Sequence, residues 1–389
     1  MRPTVLLDAT PMLDTSGHRG IGRFLYDLLH GLAATAREWE GDFALRVVTD
    51  LDLHGGGVVD DDPATAAEST RAARGTRIDR IAWRRRVSLG RLARTATVLH
   101  LPEPRGTPLR AHPRTVVTCH DLIPLRFPRQ YLGKTPWAAW VRRGVERRRL
   151  ARAAKVVAIS RKTMADAIEL LGLPAERFVV VPNGIDLSTW SPIAPPGEAA
   201  ALRARGVGAR PFVVYVGYCD HRKAIDAMFA TLSRLRGRLD LDLVWAGALL
   251  DDDLVRLRAD TARHGLEGRV HLLGFVDDAT LAALYRGAVA HLFLSRLEGF
   301  GLSVAEALAS GCPAIVVAGS GADEVAGDAG LVVAADDADA AAAALVALAG
   351  DPSARARRVA AGLARARTFG RETMARGYAD VWRRVVAGS

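Results

Sequence analysis

Short apolar runs rich in β-branched residues alternate along this chain with longer stretches in which apolar positions recur every three or four residues. That is the pattern of repeated strand and helix units that build a parallel sheet. Two series of strands are predicted. The first comprises TVLLDA (4–9), FALRVVT (43–49), TVLHL (97–101), RTVVTCH (114–120), KVVAIS (155–160) and RFVVVP (177–182). The second restarts with PFVVYVG (211–217) and continues through LDLVWAG (241–247), RVHLLGFV (269–276), AVAHLFLS (288–295) and PAIVVA (313–318), each followed by a helix-like segment. Between the series, DLSTWSPIAPPGEAA (186–200) holds three prolines and no periodicity, and reads as an interdomain linker. The stretch from Leu53, LHGGGVVDDDPATAAESTRAARG, reads as a long surface loop or a partly disordered one. After Asp336 the chain is alanine-rich and mostly helical. The expected division is a first domain over 1–186, a second over 187–369, and a terminal helix over 370–389 open to packing back on the first.

Size supports that division, because 389 residues exceed what one hydrophobic core usually supports. Cys119, Cys219 and Cys312 show no paired spacing of a disulfide framework or zinc site, so a reducing, cytoplasmic setting is expected. The amino-terminal MRPTVLLDATPML is broken by Asp8 and reads as a buried strand, not a signal peptide, and no uninterrupted apolar run reaches the roughly 18 residues of a membrane span. The net charge of +10, mostly arginine, suits phosphate-bearing ligands and leaves a peripheral contact with an anionic membrane open. Nucleic acid is not expected as a partner. The basic segment Arg142 to Arg152, preceded by Trp137 and Trp140, reads as an amphipathic helix with a solvated basic face in preference to an interfacial membrane helix.

The segment with most chemistry is LSRLEGFGLSVAEALASGCP (294–313). It places Glu298 just after a strand, then Gly299, Phe300 and Gly301, then a helix start at Leu302 and Ser303 carrying Glu306. Glycines let the backbone approach a ligand, and N–H groups at a helix start receive a diphosphate. The competing reading is a capping box, since Ser303 and Glu306 stand in the S-x-x-E relation, but it leaves Glu298 and both glycines without a role. Arg222 and Lys223 lie just beyond a strand carboxyl end, where open α/β sheets bind ligands. Asp60 to Asp62, Asp251 to Asp253 and Asp277 with Asp278 read as helix caps, and no metal site is expected.

The 294–313 segment resembles the paired-glutamate motif of family 4 glycosyltransferases. VPNGID (181–186), YVGYCDHRKAID (215–226), LGFVDDATLAALYRGA (273–288) and SGADEVAGDAGLVV (320–333) follow the family's order, and RGIGRFLYDLL (19–29) and HDLIPLRFP (120–128) resemble its polysaccharide mannosyltransferase subgroup. The resemblance implies a GT-B fold, two Rossmann-like doubly wound domains facing across a cleft. It further implies a retaining, metal-independent hexosyltransferase whose co-substrate is a nucleotide diphosphate sugar, GDP-mannose foremost, and whose acceptor is a glycan, a lipid-linked sugar or a small molecule.

By resemblance, Glu298 binds the sugar and favours the positive transition state, Glu306 binds the ribose, and Arg222 and Lys223 take the diphosphate in place of a metal. His120 lines the sugar pocket, Gly20 and Gly22 approach the diphosphate or acceptor, and Gly217 and Val276 lie along the donor. The family often carries an arginine after the strand glycine, where this chain has Tyr218. Alternatives within the fold are a UDP-glucose or deoxysugar donor, or a sugar-nucleotide binding protein without catalysis. A nicotinamide-dependent dehydrogenase is disfavoured, because after Gly20 and Gly22 the third glycine position holds Leu25 and only Asp50 supplies the acidic residue of a second strand.

Overall fold

Successive strand residues point to opposite faces of a sheet, so a run such as Val5, Leu6 and Leu7, all buried, requires a sheet covered on both sides. A computed structural model describes residues 2–12, 20–51, 57–72, 89–108, 112–133 and 135–388. The described residues divide into two units, 1–184 with 369–389, and 185–368.

In the first unit the strands are β1 (Thr4–Asp8), β2 (Ala44–Leu51), β3 (Gly57–Asp60), β4 (Val98–Leu101), β5 (Thr115–Cys119), β6 (Lys155–Ala158) and β7 (Phe178–Val180). They form one sheet in the order β3-β2-β1-β4-β5-β6-β7, parallel except for the edge pair β2 and β3. Its longer helices are α1 (Gly20–Ala34), α2 (Pro63–Ala72), α3 (Pro136–Ala151) and α4 (Arg161–Leu171). The stretch from Leu53 is therefore not a loop throughout. β3 and α2 lie within it, and residues 52–56 and 73–88 fall outside the described set. A four-residue edge strand that begins on the third of three glycines carries no alternation of its own and is specified by pairing with β2.

The second unit contains β8 (Phe212–Val216), β9 (Asp242–Ala246), β10 (Val270–Gly274), β11 (His291–Phe293), β12 (Ala314–Val317) and β13 (Leu331–Val333), in the order β10-β9-β8-β11-β12-β13. All pairs are parallel. Its longer helices are α5 (Ile225–Leu235), α6 (Asp251–Arg263), α7 (Asp278–Gly287), α8 (Leu302–Ala309), α9 (Ala338–Gly350) and α10 (Pro352–Ala366). In both sheets the strand order reverses beside the first strand, between β1 and β4 and between β8 and β11. Such switch points open a crevice at the strand carboxyl ends.

The proline-rich segment is not a loose spacer. Asp186 accepts from the Ser188 N–H at 2.9 Å, Trp190 is buried edge-on against Tyr285, and Arg286 pairs with Glu198 and donates to the Ser191 carbonyl at 2.8 Å. These contacts fasten 186–198 to the second unit.

The chain returns to the first unit through the terminal helix α11 (Arg371–Ala387), which packs on α1. Tyr378 and Trp382 of α11 are fully buried with Phe24, Leu25, Leu28 and Phe43. Trp382 donates to Nδ1 of His100 at 3.1 Å, and His100 Nε2 meets Thr118 Oγ1 at 3.0 Å, itself 3.1 Å from the Tyr378 hydroxyl. Burial foremost holds the His100 imidazole at about 3, so the ring is neutral, and the polar side-chain atoms of Trp382, His100, Thr118 and Tyr378 all have partners.

The helices meet closely enough that a Cβ on Gly31 would stand 2.3 Å from the Arg371 carbonyl oxygen. Backbone on both sides must then shift. Gly31→Ala is expected to lose about 1–3 kcal/mol in chemical denaturation, whereas Gly41→Ala, with nothing within 4 Å of its Cβ, should stay near wild type. Equal stabilities would show that α11 does not seat against α1 as described.

Candidate donor site at the second switch point

The turn after β8 is shaped by two glycines on neighbouring strands. Gly217 has φ +148° and Gly247 has φ +154°, and a Cβ on Gly247 would lie 2.2 Å from the Gly217 carbonyl oxygen. That carbonyl accepts from the Trp245 indole at 2.9 Å, while the Tyr215 hydroxyl donates to the Tyr218 carbonyl at 3.0 Å. The chain is thereby held up to Asp220, whose carboxylate accepts from the Arg222 N–H at 3.0 Å and starts a single 3₁₀ turn, His221–Lys223. Ala224 follows in left-handed conformation, φ 50°, before α5. For a residue with a Cβ this costs on the order of 1–2 kcal/mol, so surrounding contacts must impose it.

Those contacts come from the loop after β11. The Arg222 carbonyl accepts from the Arg296 N–H at 2.7 Å and the Ser295 hydroxyl at 3.2 Å. Arg296 also donates to the His221 carbonyl at 2.7 Å, and Arg222 donates to the Leu297 carbonyl at 3.1 Å. Two segments 75 residues apart are thus laced together, and three charges meet there. Glu298 Oε1 lies 2.7 Å from Lys223 Nζ, and Oε2 lies 2.5 Å from Arg222 Nη1. Ser295 donates a further hydrogen bond to Oε1, and Lys223 Nζ stands 4.6 Å above the Phe293 ring.

Burial pushes the Glu298 carboxyl up, but the charges of Lys223 and Arg222, with hydrogen bonds from Lys223 and Ser295, outweigh it and hold it at about 2. Burial draws the Lys223 ammonium below its ordinary value, while Glu298 opposes that and Arg222 adds to it. Each pair has roughly 6 kcal/mol of gross attraction at an effective dielectric of 20. Desolvation of each ion costs several kcal/mol. The cluster is therefore a device for holding charge in place more than for stability. Asp220 lies 3.6 Å from Arg222 Nε, so at the switch point two cations are matched by two carboxylates, of which Glu298 faces both cations.

Beyond Glu298 the chain passes Gly299 and the buried Phe300 to Gly301, φ +110°, where a Cβ would stand 3.2 Å from that of Ala322. Gly301 takes the N-cap position of α8, so Ser303 lies inside the helix and the capping-box alternative does not form. The N–H groups of Leu302 and Ser303 have no acceptor among the described residues. Ser303 Oγ instead meets His291 Nε2 at 3.2 Å, and His291 Nδ1 lies 3.0 Å from the Val214 carbonyl. Nδ1 must therefore carry the proton, leaving Nε2 to accept from Ser303. Burial foremost, with a smaller contribution from the Lys223 charge, holds His291 at about 4. Glu306 is buried, with the Tyr285 hydroxyl 3.4 Å from Oε2. Sequence reasoning missed His291, whose one visible signal is a histidine inside the apolar run AVAHLFLS.

The structure thus brings Gly217, Arg222, Lys223, Glu298 and the 299–303 turn to the carboxyl ends of β8 and β11, with Glu306 one turn into α8. Val276, half-buried, follows β10 between exposed Phe275 and the α7 cap, Asp277, which accepts from the Thr280 N–H at 2.7 Å. Asp62 likewise caps α2, and Asp253 accepts from the Leu250 N–H ahead of α6. Among the described residues no three His, Cys, Asp or Glu side chains group as metal ligands. A cavity of about 610 Å³ in this unit lies at the opposite, amino ends of β9 and β10, lined by Arg236, Arg238, Asp240, Glu267 and Arg269, and not by Glu298 or Glu306.

Three predicted residues belong to the first unit. His120 follows β5, and its Nε2 donates to the Pro102 carbonyl at 2.8 Å, while Phe24 meets the ring edge-on at 4.8 Å. Burial foremost holds its imidazole below the ordinary value. Gly20 opens α1 and Gly22 is buried two residues before Phe24; residues 13–19, including the start of the SGHRGIGR loop, lie outside the described set.

Two doubly wound α/β units, the second with charged groups converging at its switch point, define the GT-B class. Consistent with this, the chain matches the family model "Glycosyltransferase Family 4" over residues 18–189 and "Glycosyl transferases group 1" over residues 204–365. The chain belongs to the family 4 glycosyltransferases. It is 30% identical to O-antigen chain mannosyltransferase B of Escherichia coli over 55% of this chain and 56% of that protein. It is 34% identical to the D-inositol 3-phosphate glycosyltransferase of Xylanimonas cellulosilytica over 58% and 56%. The matches span about half the length of these curated relatives. Among solved structures it resembles HepE of Anabaena in complex with UDP (TM-score 0.71, 17% identity, 98% and 99% of the two chains). It also resembles sucrose-phosphate synthase of Thermosynechococcus elongatus (TM-score 0.74, 19% identity, 100% of both). At these identities the structures establish the fold alone.

His291 gives the site an acid dependence of known sign. The folded ring stays neutral down to about pH 4, whereas an unfolded histidine takes a proton below about 6.5. Its contribution is fully present above pH 6.5 and is lost as pH falls towards 4, by up to about 3 kcal/mol. His291→Gln should flatten the decline in denaturation midpoint between pH 7 and 5. An unchanged decline would remove His291 as its source.

Proposed function

We propose that the chain transfers a hexose, mannose foremost, from a nucleoside diphosphate sugar to a hydroxyl of a glycan, glycolipid or small-molecule acceptor, with retention and without a metal ion. The observation that carries this reading is the meeting of Arg222, Lys223 and Glu298 at the second switch point, followed directly by the open N-terminus of α8. The N–H groups of Leu302 and Ser303 and the two cations suit a diphosphate. Glu306, buried beside Tyr285, is assigned to the ribose, and Val276 to the base side.

In the free chain Glu298 occupies both cations. A diphosphate competes for the same charges and turns the carboxylate towards the sugar. As the bond from the anomeric carbon to the phosphate oxygen breaks, negative charge grows on the phosphate and is offset by Arg222 and Lys223. Positive charge grows on the sugar and is offset by Glu298. The acceptor oxygen forms its bond on the same face, and its proton passes to the departing phosphate. His120 is assigned to the sugar by resemblance. Mannosyltransferase relatives support the choice of sugar, among them a phosphatidyl-myo-inositol mannosyltransferase of Mycolicibacterium smegmatis, 32% identical over 52% of this chain and 50% of that protein.

A thermal-shift screen of nucleoside diphosphate sugars identifies the donor, since a ligand that binds only the folded state raises the melting temperature. GDP-mannose is expected to give the largest shift; UDP-glucose in its place would change the donor and keep the reaction class. With that donor, Glu298→Gln should lower turnover about 10²-fold or more. It should bind the nucleoside diphosphate at least as tightly, because the competing carboxylate is gone. Turnover should persist in excess EDTA. Wild-type rates in Glu298→Gln would exclude Glu298 from the reaction, and loss in EDTA restored by magnesium would overturn the metal-free assignment.

A further inference from the structure

The helix α3 turns its apolar side the wrong way for a helix of a soluble domain. Trp137, Trp140, Val141, Gly144 and Val145 recur at the three- and four-residue spacing of one face, and that face is outward: Trp137 is 66% exposed, Trp140 77%, Val141 41% and Val145 38%. The inward side is anchored by other residues. Leu150 is buried in the core, Glu146 is buried and paired with Arg142 at 2.9 Å and Arg149 at 3.3 Å, and Arg147 donates to the Leu171 carbonyl at the end of α4. The expected solvated basic face is thus only part of the picture. Arginines border an exposed tryptophan stripe.

We propose that α3 is a membrane-docking helix that seats the first unit on a bilayer carrying anionic phospholipids. Tryptophan favours the headgroup level of a bilayer, where its ring is amphipathic, and helices that lie in this plane combine such rings with arginine. A second observation points to the same surface. Beside the carboxyl end of the stripe, Thr107, Val145, Arg148, Arg149 and Arg152 line a cavity of about 200 Å³. The wall of this depression is mostly apolar, so it continues the apolar surface of the stripe beside Val145, among arginine residues whose stems suit acyl chains. Charge disfavours a second copy of the chain as the occupant. Arg143 and Arg148 are exposed along the same helix, and self-association would bring like charges together. No helix among the described residues is long and apolar enough to cross a membrane, so any such contact is peripheral for these residues.

The test is cosedimentation of the full chain with phosphatidylcholine vesicles, with and without phosphatidylglycerol, in the absence of any sugar nucleotide, so its outcome is independent of the transferase reading. The chain should bind phosphatidylglycerol vesicles at least about tenfold more tightly than phosphatidylcholine alone, and less so as salt rises. The double variant Trp137→Ser, Trp140→Ser should lose binding about tenfold or more at unchanged melting temperature, because both side chains are exposed. Arg143→Glu with Arg148→Glu should abolish the preference for phosphatidylglycerol. No binding by the wild-type chain, equal binding to both vesicles, or full binding by the tryptophan variant would overturn the proposal. So would a wild-type dimer that the tryptophan variant dissociates without any vesicle binding, which would make the stripe an interface between copies.

Discussion

A carboxylate held against two cations at a strand switch point is the constraint around which the second unit is organised. Glu298 alone would be raised by burial, and Arg222 beside Lys223 alone would repel. Together they form a charged group that stays ionised yet is nearly enclosed, with the Glu298 and Lys223 side chains 11% and 9% exposed. The attraction is largely cancelled by desolvation, so selection for stability does not explain it. Under the proposed function, a ligand carrying compact negative charge does. It can replace Glu298 on the cations without any need to assemble them.

Much of the local backbone serves that arrangement. Gly217 and Gly247 allow two strand ends to pass where a side chain would collide, Ala224 accepts a costly conformation, and Arg296 ties the 3₁₀ turn to the loop beyond β11. Behind the site, His291 joins the Val214 carbonyl to Ser303 and so fixes the first turn of α8. The neutral imidazole matters here, because a charged ring would repel Lys223 and would reverse the contact with Ser303, Nε2 then donating to the hydroxyl.

All the described strands except the edge strands β3 and β13, together with both halves of the chain and the site segments, were legible because apolar runs, glycine spacing and paired charges are local features. What was not legible depends on tertiary placement. Spacing alone does not bring Lys223 and Glu298 into contact; the order β10-β9-β8-β11 does. Ser303 looked like a helix cap until Gly301, in left-handed conformation, was seen to hold that position. The proline-rich segment read as an interdomain linker because the burial of Trp190 against Tyr285 leaves no periodic trace. On α3, two amphipathic readings were possible from sequence, and only the buried Leu150 and Glu146 decide which face is outward.

The most direct test of the charge cluster as the diphosphate site is calorimetric comparison of GDP with GMP, and of UDP with UMP, in the wild-type chain and in Lys223→Met. If Lys223 grips the second phosphate, one diphosphate should bind the wild type at least about tenfold more tightly than its monophosphate, and that advantage should vanish in Lys223→Met. An advantage that survives intact in the variant, or a wild-type chain that binds no diphosphate, would contradict the account.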